Sequence, residues 1–388
     1  MRRQRSTGWW MMALLAAILL LVAACADDDA EEDEVAEEDT EEEPADDEPE
    51  DEPEEDDEAE EEEPAEDEGE EGPFTIGVSN TLVGNQWREQ MVCSIQAQAA
   101  ASGVVEDVVL ANRDTDASGQ ISDIEGLIGQ GVDAIIVNPH DREALDDVIA
   151  AADEQGIFVI SVDQAVTADE AYNVTNDQVA YGEMGARWLF EQLDGEGEVA
   201  YMRGADGAPA DVDRDEGFQA ALEDFPDIEI ISEVHTGWDP STGASQALDI
   251  ITSTDVDGIW TSGIDYPVVE QFDSAGEDYV PIVGADNNGF IEQLIELEGD
   301  GLVGAIVTNP PPVGGVATAI AVDLLTGTED HDRDTVLTPD LYDNVNDMAE
   351  LEDLYLPDLP QGFVSTMEFE GWTDYTQEEV LECEGPGE

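Results

Sequence analysis

The sequence predicts an α/β protein of two similar lobes, each a parallel sheet flanked by helices, and three observations carry that expectation. Apolar, β-rich runs alternate with helix-length amphipathic segments from Phe74 to about Leu325. Glycines such as Gly131 and Gly156 stand where those helical segments end. Polar residues gather at the strand tips and the loops after them, where open parallel sheets bind ligands. These are Asn80, Asn85, Asn138, Asp141, Asp163, Asp206, Asp265, Asp286 and Asn287.

In order, the first strand is read at Phe74 to Ser79, and a helix over Asn85 to Ser102 places Trp87, Met91, Ile95 and Ala99 on one face. Strands follow at Val108 to Ala111, Ala134 to Asn138 and Ile157 to Asp163, with helices at Ser118 to Gln130 and Arg142 to Glu154 between them. The second half repeats the pattern. Its strands are Glu198 to Arg203, Ile228 to His235, Gly258 to Thr261, Val280 to Gly284 and Leu302 to Thr308. Its helices are Gln178 to Leu193, Val212 to Phe225, Pro240 to Ser253, Tyr266 to Ala275 and Gly289 to Glu298.

Arg2, Arg3 and Arg5 precede an apolar run from Trp9 to Val22 that is too short and wrongly flanked for a membrane span but suits a secretory signal. The run ends in Leu21-Val22-Ala23-Ala24-Cys25, which resembles a bacterial lipobox. Residues 1–24 are therefore read as a signal peptide, and Cys25 as a lipidated residue holding the chain to the outer face of the cell membrane. Of the 46 residues from Asp27 to Gly72, 33 are acidic, so segment 25–72 predicts an extended tether whose like charges repel and whose apolar content cannot offset ordering.

The chain carries 100 acidic residues against ten arginines and no lysine, a formal charge of −90 that argues against any nucleic-acid partner. Residues 73–388 still hold 67 acids against seven arginines, and their mutual repulsion would be relieved by salt. A saline habitat and a lineage bias toward acidic proteins both account for that composition. His140, His235 and His331 are scattered, and no nucleophile elbow, P-loop, zinc-protease or calcium-loop motif occurs, so no catalysis, metal or cofactor is expected. Cys93 and Cys383 are expected to pair in an oxidising compartment, pinning the tail to the first helix, with two buried free thiols as the alternative.

Several segments, taken in order, carry a resemblance. They are Asn85-Gln86-Trp87, Asn138-Pro139-His140-Asp141, Val162-Asp163, Arg214-Asp215-Glu216-Gly217-Phe218, Trp238-Asp239 and Val283-Gly284-Ala285-Asp286. From Phe74 to about Thr338 the chain resembles type I periplasmic binding proteins of the ribose-binding class, which serve ABC importers. The resemblance implies two Rossmann-like lobes with parallel sheets joined by a three-crossing hinge. It divides the chain into 73–175 plus 309–330, 176–308 plus 331–340, and a tail, 341–388, expected to pack back on the first lobe. It further implies a monomer that closes on a sugar or related polyol and hands it to an ABC permease.

By the positions that match, Trp87 and Trp238 would stack on the sugar, while Asn85, Asn138, Asp163, Arg214 and Asp286 would bond its hydroxyls. Departures occur at Gly263, where Asp265 is a possible substitute, at Gln164 where relatives often carry Arg, and at Thr308-Asn309 where Gln is expected. Each residue also has a plainer reading. Asp163 and Asp286 suit helix caps, the indoles suit a core, and Arg214 suits an ion pair with Asp211, Asp213 or Asp215. Presentation of the ligand to a membrane receptor or histidine kinase is the alternative role, and an exported sugar-active enzyme lacks its motifs. A sugar-responsive repressor is excluded by the export signal and the absence of a basic DNA-reading segment.

Overall fold

The computed structural model describes residues 72–387. The expected signal peptide, Cys25 and the tether up to residue 71 lie outside the described residues. The first lobe opens with β1 (Phe74–Asn80), α1 (Gln86–Ser102), β2 (Val105–Asn112), α2 (Ala117–Gln130), β3 (Ala134–Val137), α3 (Asp146–Asp153), β4 (Phe158–Asp163) and β5 (Tyr172–Asn176). The second lobe follows with α4 (Gln178–Gln192), β6 (Glu196–Arg203), α5 (Pro209–Asp224), β7 (Asp227–His235), α6 (Pro240–Ser253) and β8 (Gly258–Trp260). It continues through α7 (Asp265–Ala275), β9 (Ile282–Ala285), α8 (Asn288–Glu296) and β10 (Gly304–Val307). The chain ends with α9 (Val313–Thr326), β11 (Asp334–Leu337), β12 (Leu341–Asp343), α10 (Met348–Leu354) and α11 (Gln377–Glu382).

The first sheet runs β11-β5-β4-β3-β1-β2 and is parallel throughout; the second runs β12-β10-β9-β8-β6-β7, with only β12 antiparallel. Helices cover both faces of a parallel sheet, so its central strands read as continuous apolar runs, and all four residues of β3 and of β9 are buried. The side chains of Asn85, Asp116, Asp177, Asp239 and Asn287 each accept the amide that opens a helix. Gly103, Gly131, Gly276 and Gly327 close helices in the left-handed conformation.

Three segments join the lobes: β5 into α4, β10 into α9, and β11 into β12. They run side by side, with the Thr308 amide donating to the Asp340 carbonyl at 2.9 Å and the Asp177 amide to the Leu337 carbonyl at 2.8 Å.

The structure corrects the domain boundaries. Residues 331–340 were placed in the second lobe, yet Asp334–Leu337 pairs with β5 and extends the first sheet, because the third crossing comes only after Leu337. The tail does not return directly to the first lobe either: Leu341–Asp343 pairs with β10, and α10 packs on α8, both in the second lobe. After α10 the tail comes back to α1, where Gln90 bonds Val364 and a disulfide joins Cys93 to Cys383. The third helix starts at Asp146 instead of Arg142, because the Asp141 carboxylate accepts the Glu143 and Ala144 amides and holds that stretch in a turn.

Candidate functional site

A cavity of about 300 Å³ lies between the lobes. The first lobe supplies Asn85, Trp87 and Arg88 from the start of α1, and Asp163 from the tip of β4. The second lobe supplies Arg214 from α5, Trp238 from the loop before α6, Ser262 and Tyr266 around the start of α7, and Asn287 at the cap of α8. Asn309 enters from the second crossing, and Gly362 and Val364 from the tail.

Charge in this cavity is arranged around Asp163. Burial pushes its carboxyl above the usual range, and the Arg88 and Arg214 guanidinium charges pull in the opposite direction. Burial also lowers Arg88 to about 10, opposed by Asp163. Arg214 donates to Gln178 Oε1 and Ser262 Oγ, each at 2.8 Å, and lies over the Tyr181 ring at 3.9 Å. Gln178 Nε2 in turn donates to Asp163 Oδ1 at 2.9 Å, so one amide aligns the acid and the base.

Arg214 does not answer its acidic neighbours in sequence. Asp211 and Asp215 pair with Arg203 at 2.8 and 3.2 Å, and Asp213 pairs with Arg142 at 2.7 Å. Among the described residues neither Arg88 nor Arg214 has a carboxylate within ion-pairing distance. Two buried cations therefore reach the cavity wall without a paired carboxylate.

The indoles are half-buried at that wall. Trp87 Nε1 donates to the Asn309 carbonyl at 2.5 Å, and Trp238 Nε1 donates to Ser262 Oγ at 3.3 Å. A Cβ at Gly204 would run into the Trp238 ring, so only glycine lets the indole lie flat there. Asp163 and Trp238 both hold left-handed backbone, with φ of 67° and 54°, a conformation that costs non-glycine residues about 1–3 kcal/mol and clusters at ligand clamps.

Of the expected ligand residues, Asn85, Trp87, Asp163, Arg214, Trp238 and Asn309 line the cavity together. Asn138, Asp265 and Asp286 do not; they form the layer behind it. Asn138 Oδ1 accepts from Gln164 Nε2 at 2.5 Å. Asp265 accepts from Thr261, Asn287 and the Ala285 amide, and burial lifts its carboxyl to about 6. Asp286 Oδ1 accepts the Asn309 amide at 3.0 Å, while its buried Oδ2 has no partner and burial lifts the group to about 7. Neither Asp163 nor Asp286 caps a helix, since α8 is capped by Asn287 and β4 leads into β5.

The lobes are drawn together around the cavity. Arg142 of the first lobe grips Asp213 of the second, Gln164 accepts the Ala210 amide at 3.0 Å, and Asn85 Nδ2 donates to the Trp238 carbonyl at 3.2 Å. Sequence reasoning missed Arg88, Gln178, Ser262 and the tail residues. Arg88 had a signal, being one of only seven arginines after residue 72 and adjacent to Trp87. Gln178 and Ser262 had none, because their value lies in aiming Arg214.

Comparison with known proteins bears on the family and the fold. The family described as "Periplasmic binding protein domain" matches residues 76–329. The ribose import binding protein of Bacillus subtilis is 26% identical over 263 residues, 67% of this chain and 84% of that protein. The xylitol-binding protein of Mycolicibacterium smegmatis is 29% identical over 228 residues, 58% of this chain and 65% of that protein. Among solved structures, the binding component of the arabinose ABC transporter from a Shewanella species, bound to L-arabinofuranose, superposes with a TM-score of 0.64 at 23% identity. It covers 72% of this chain and 95% of that one.

Proposed function

Because the chain belongs to the periplasmic binding protein domain family, matched over residues 76–329, we propose that it is a lipid-anchored substrate-binding protein that captures a monosaccharide or polyol and delivers it to an ABC importer. The family binds solutes outside the cytoplasm and performs no chemistry on them. Among the described residues no helix is long and apolar enough to cross a membrane. The reading of a lipid on Cys25 rests on the lipobox-like run Leu21-Val22-Ala23-Ala24-Cys25.

One observation carries the ligand class: the interlobe cavity combines two indoles with Asp163, Arg88 and Arg214, and among the described residues neither arginine has a carboxylate mate. Sugar C–H faces pack on indoles, and hydroxyls bonded to charged groups contribute about 1.5–3 kcal/mol each. A ligand touching both lobes binds the closed form better than the open one and so shifts the population toward closure. The permease reads that closed shape.

The test is calorimetric titration of the full chain with pentoses, hexoses and polyols. At least one should bind, and Asp163→Ala or Arg214→Ala should weaken it tenfold or more, at about 1.4 kcal/mol per decade. Unchanged affinity in both variants would remove the assignment of this cavity.

A further inference from the structure

The tail beyond α10 joins the lobes a fourth time. On the second lobe, Asn288 Nδ2 donates to the Leu356 and Leu359 carbonyls at 2.9 and 3.1 Å. The Asn288 amide donates to the Phe363 carbonyl at 2.6 Å, and the Gly289 amide to the Gln361 carbonyl at 2.7 Å. The next residue is held from both sides, bridging to Asn287 of the second lobe while it bonds the first. Gln90 of α1 holds both backbone groups of Val364, Nε2 donating to its carbonyl at 3.0 Å and Oε1 accepting its amide at 2.8 Å.

Farther along, the Asp374 amide donates to Gln98 Oε1 at 2.8 Å, Met367, Tyr375 and Val380 pack beside Ala97, and the Cys93–Cys383 disulfide closes the attachment to α1. Phe363 and Ser365 bond the second lobe, at Asn288 and Asp286, while Val364 between them bonds Gln90 of α1. No slack lies between the two anchors, so separating the lobes at this point must break one set of bonds. At this crossing Gly362 and Val364 form part of the cavity wall. A Cβ at Gly362 would run into the Gln86 amide, so the strap lies close against the start of α1.

We propose that this strap is the size selector of the binding site: clamped to both lobes and locked by Cys93–Cys383, it presents Val364 and Gly362 as the wall that limits how large a ligand the closed cleft admits. The inference rests on reading the cavity as a sugar or polyol site. It goes beyond that reading because the strap lies outside residues 76–329, the part shared with the family. Side-chain substitution at Val364 leaves intact the backbone bonds to Gln90, which makes its volume an independent variable.

The full chain, Val364→Ala and Val364→Phe are titrated with erythritol, D-ribose, xylitol, D-galactose, myo-inositol and maltose. Relative to the five-carbon probes, the larger probes should gain at least tenfold in Val364→Ala and lose at least tenfold in Val364→Phe. If the parent binds but neither variant changes the order of preference, the strap proposal is overturned while the sugar reading stands. If the parent binds none of the probes, the sugar reading fails, and the strap is judged by amide exchange in Cys93→Ser/Cys383→Ser. The amides of Asn288, Gly289 and Val364 should then exchange at least tenfold faster than in the parent, with α2 unchanged as the control for global unfolding. Equal protection of those three amides overturns the locked strap.

Discussion

At Asp286 a carboxylate is buried with one oxygen bonded to the Asn309 amide and the other without a partner. Burial lifts it from about 3.8 to about 7. Between those values the folded protein keeps a proton that the unfolded chain has released, so the contribution to stability is full below about pH 4 and is lost as pH rises toward 7. Asp265, lifted to about 6 by burial, and Asp163, also lifted, act with the same sign. Asp286→Asn keeps the acceptor for Asn309 and removes the ionisation. It should flatten, without abolishing, the fall in melting temperature between pH 4 and 8, and leave the variant at least as stable as the parent at pH 8. A slope identical to the parent's would show that Asp286 ionises freely in the folded state. At this scale the sequence made six cavity residues legible, because two indoles, an aspartate and a rare arginine stand out by type, and Asn85 and Asn309 by their place after a strand. Asn138, Asp265 and Asp286 misled because a strand tip places a residue near the cleft without fixing whether its side chain faces the ligand or the layer behind. Gln178 and Ser262 escaped notice for the converse reason: common polar residues become functional only through what they aim.

The helices α4 and α5 cross with almost no space between their backbones. A Cβ at Gly217 would run into the Val179 carbonyl, and one at Gly182 into the Arg214 carbonyl. Alanine is the better helix former by about 1 kcal/mol, but neither helix backbone can move aside without displacing Arg214, and overpacking costs about 1–3 kcal/mol. The steric effect should win. Gly217→Ala is expected to lower the urea midpoint and weaken ligand binding together, whereas Gly126→Ala in α2, where a Cβ meets open space, should raise the midpoint. A stabilised Gly217→Ala would refute the close crossing. Elements with strong punctuation were legible: α6 was read at Pro240–Ser253, its observed bounds, because Asp239 caps it and proline opens it. The strands β5, β11 and β12 were not read. They span three to five residues, β11 alternates exposed and half-buried positions at a sheet edge, and β12 is only three residues long. Those three strands carry the first and third crossings, which is why the lobe boundaries after residue 330 shifted.

Over the whole molecule, repulsion among acids outweighs their pairing. Residues 73–388 hold 67 acids and seven arginines, and among the described residues Arg113, Arg142, Arg187 and Arg203 together engage seven carboxylates. Salt weakens the exposed pairs among these, at about 0–1 kcal/mol each, touches the buried Arg203–Asp211 pair less, and relieves the long-range repulsion among the unpaired acids. That relief involves many more charges, so the melting temperature should rise with sodium chloride. Its shape distinguishes screening from general salting-out. The Debye length falls from about 30 Å at 0.01 M to about 3 Å at 1 M, so a screening gain is steep at low salt and levels off near 1 M. A gain from solvent exclusion keeps growing beyond that concentration and is stronger in sulfate. A steep rise that levels off near 1 M is the expected thermal profile, and it would tie the acidity to a saline setting. A profile flat from 0.01 to 1 M would mean that the acids are spaced widely enough to coexist in dilute buffer, and the composition would then reflect lineage instead of habitat.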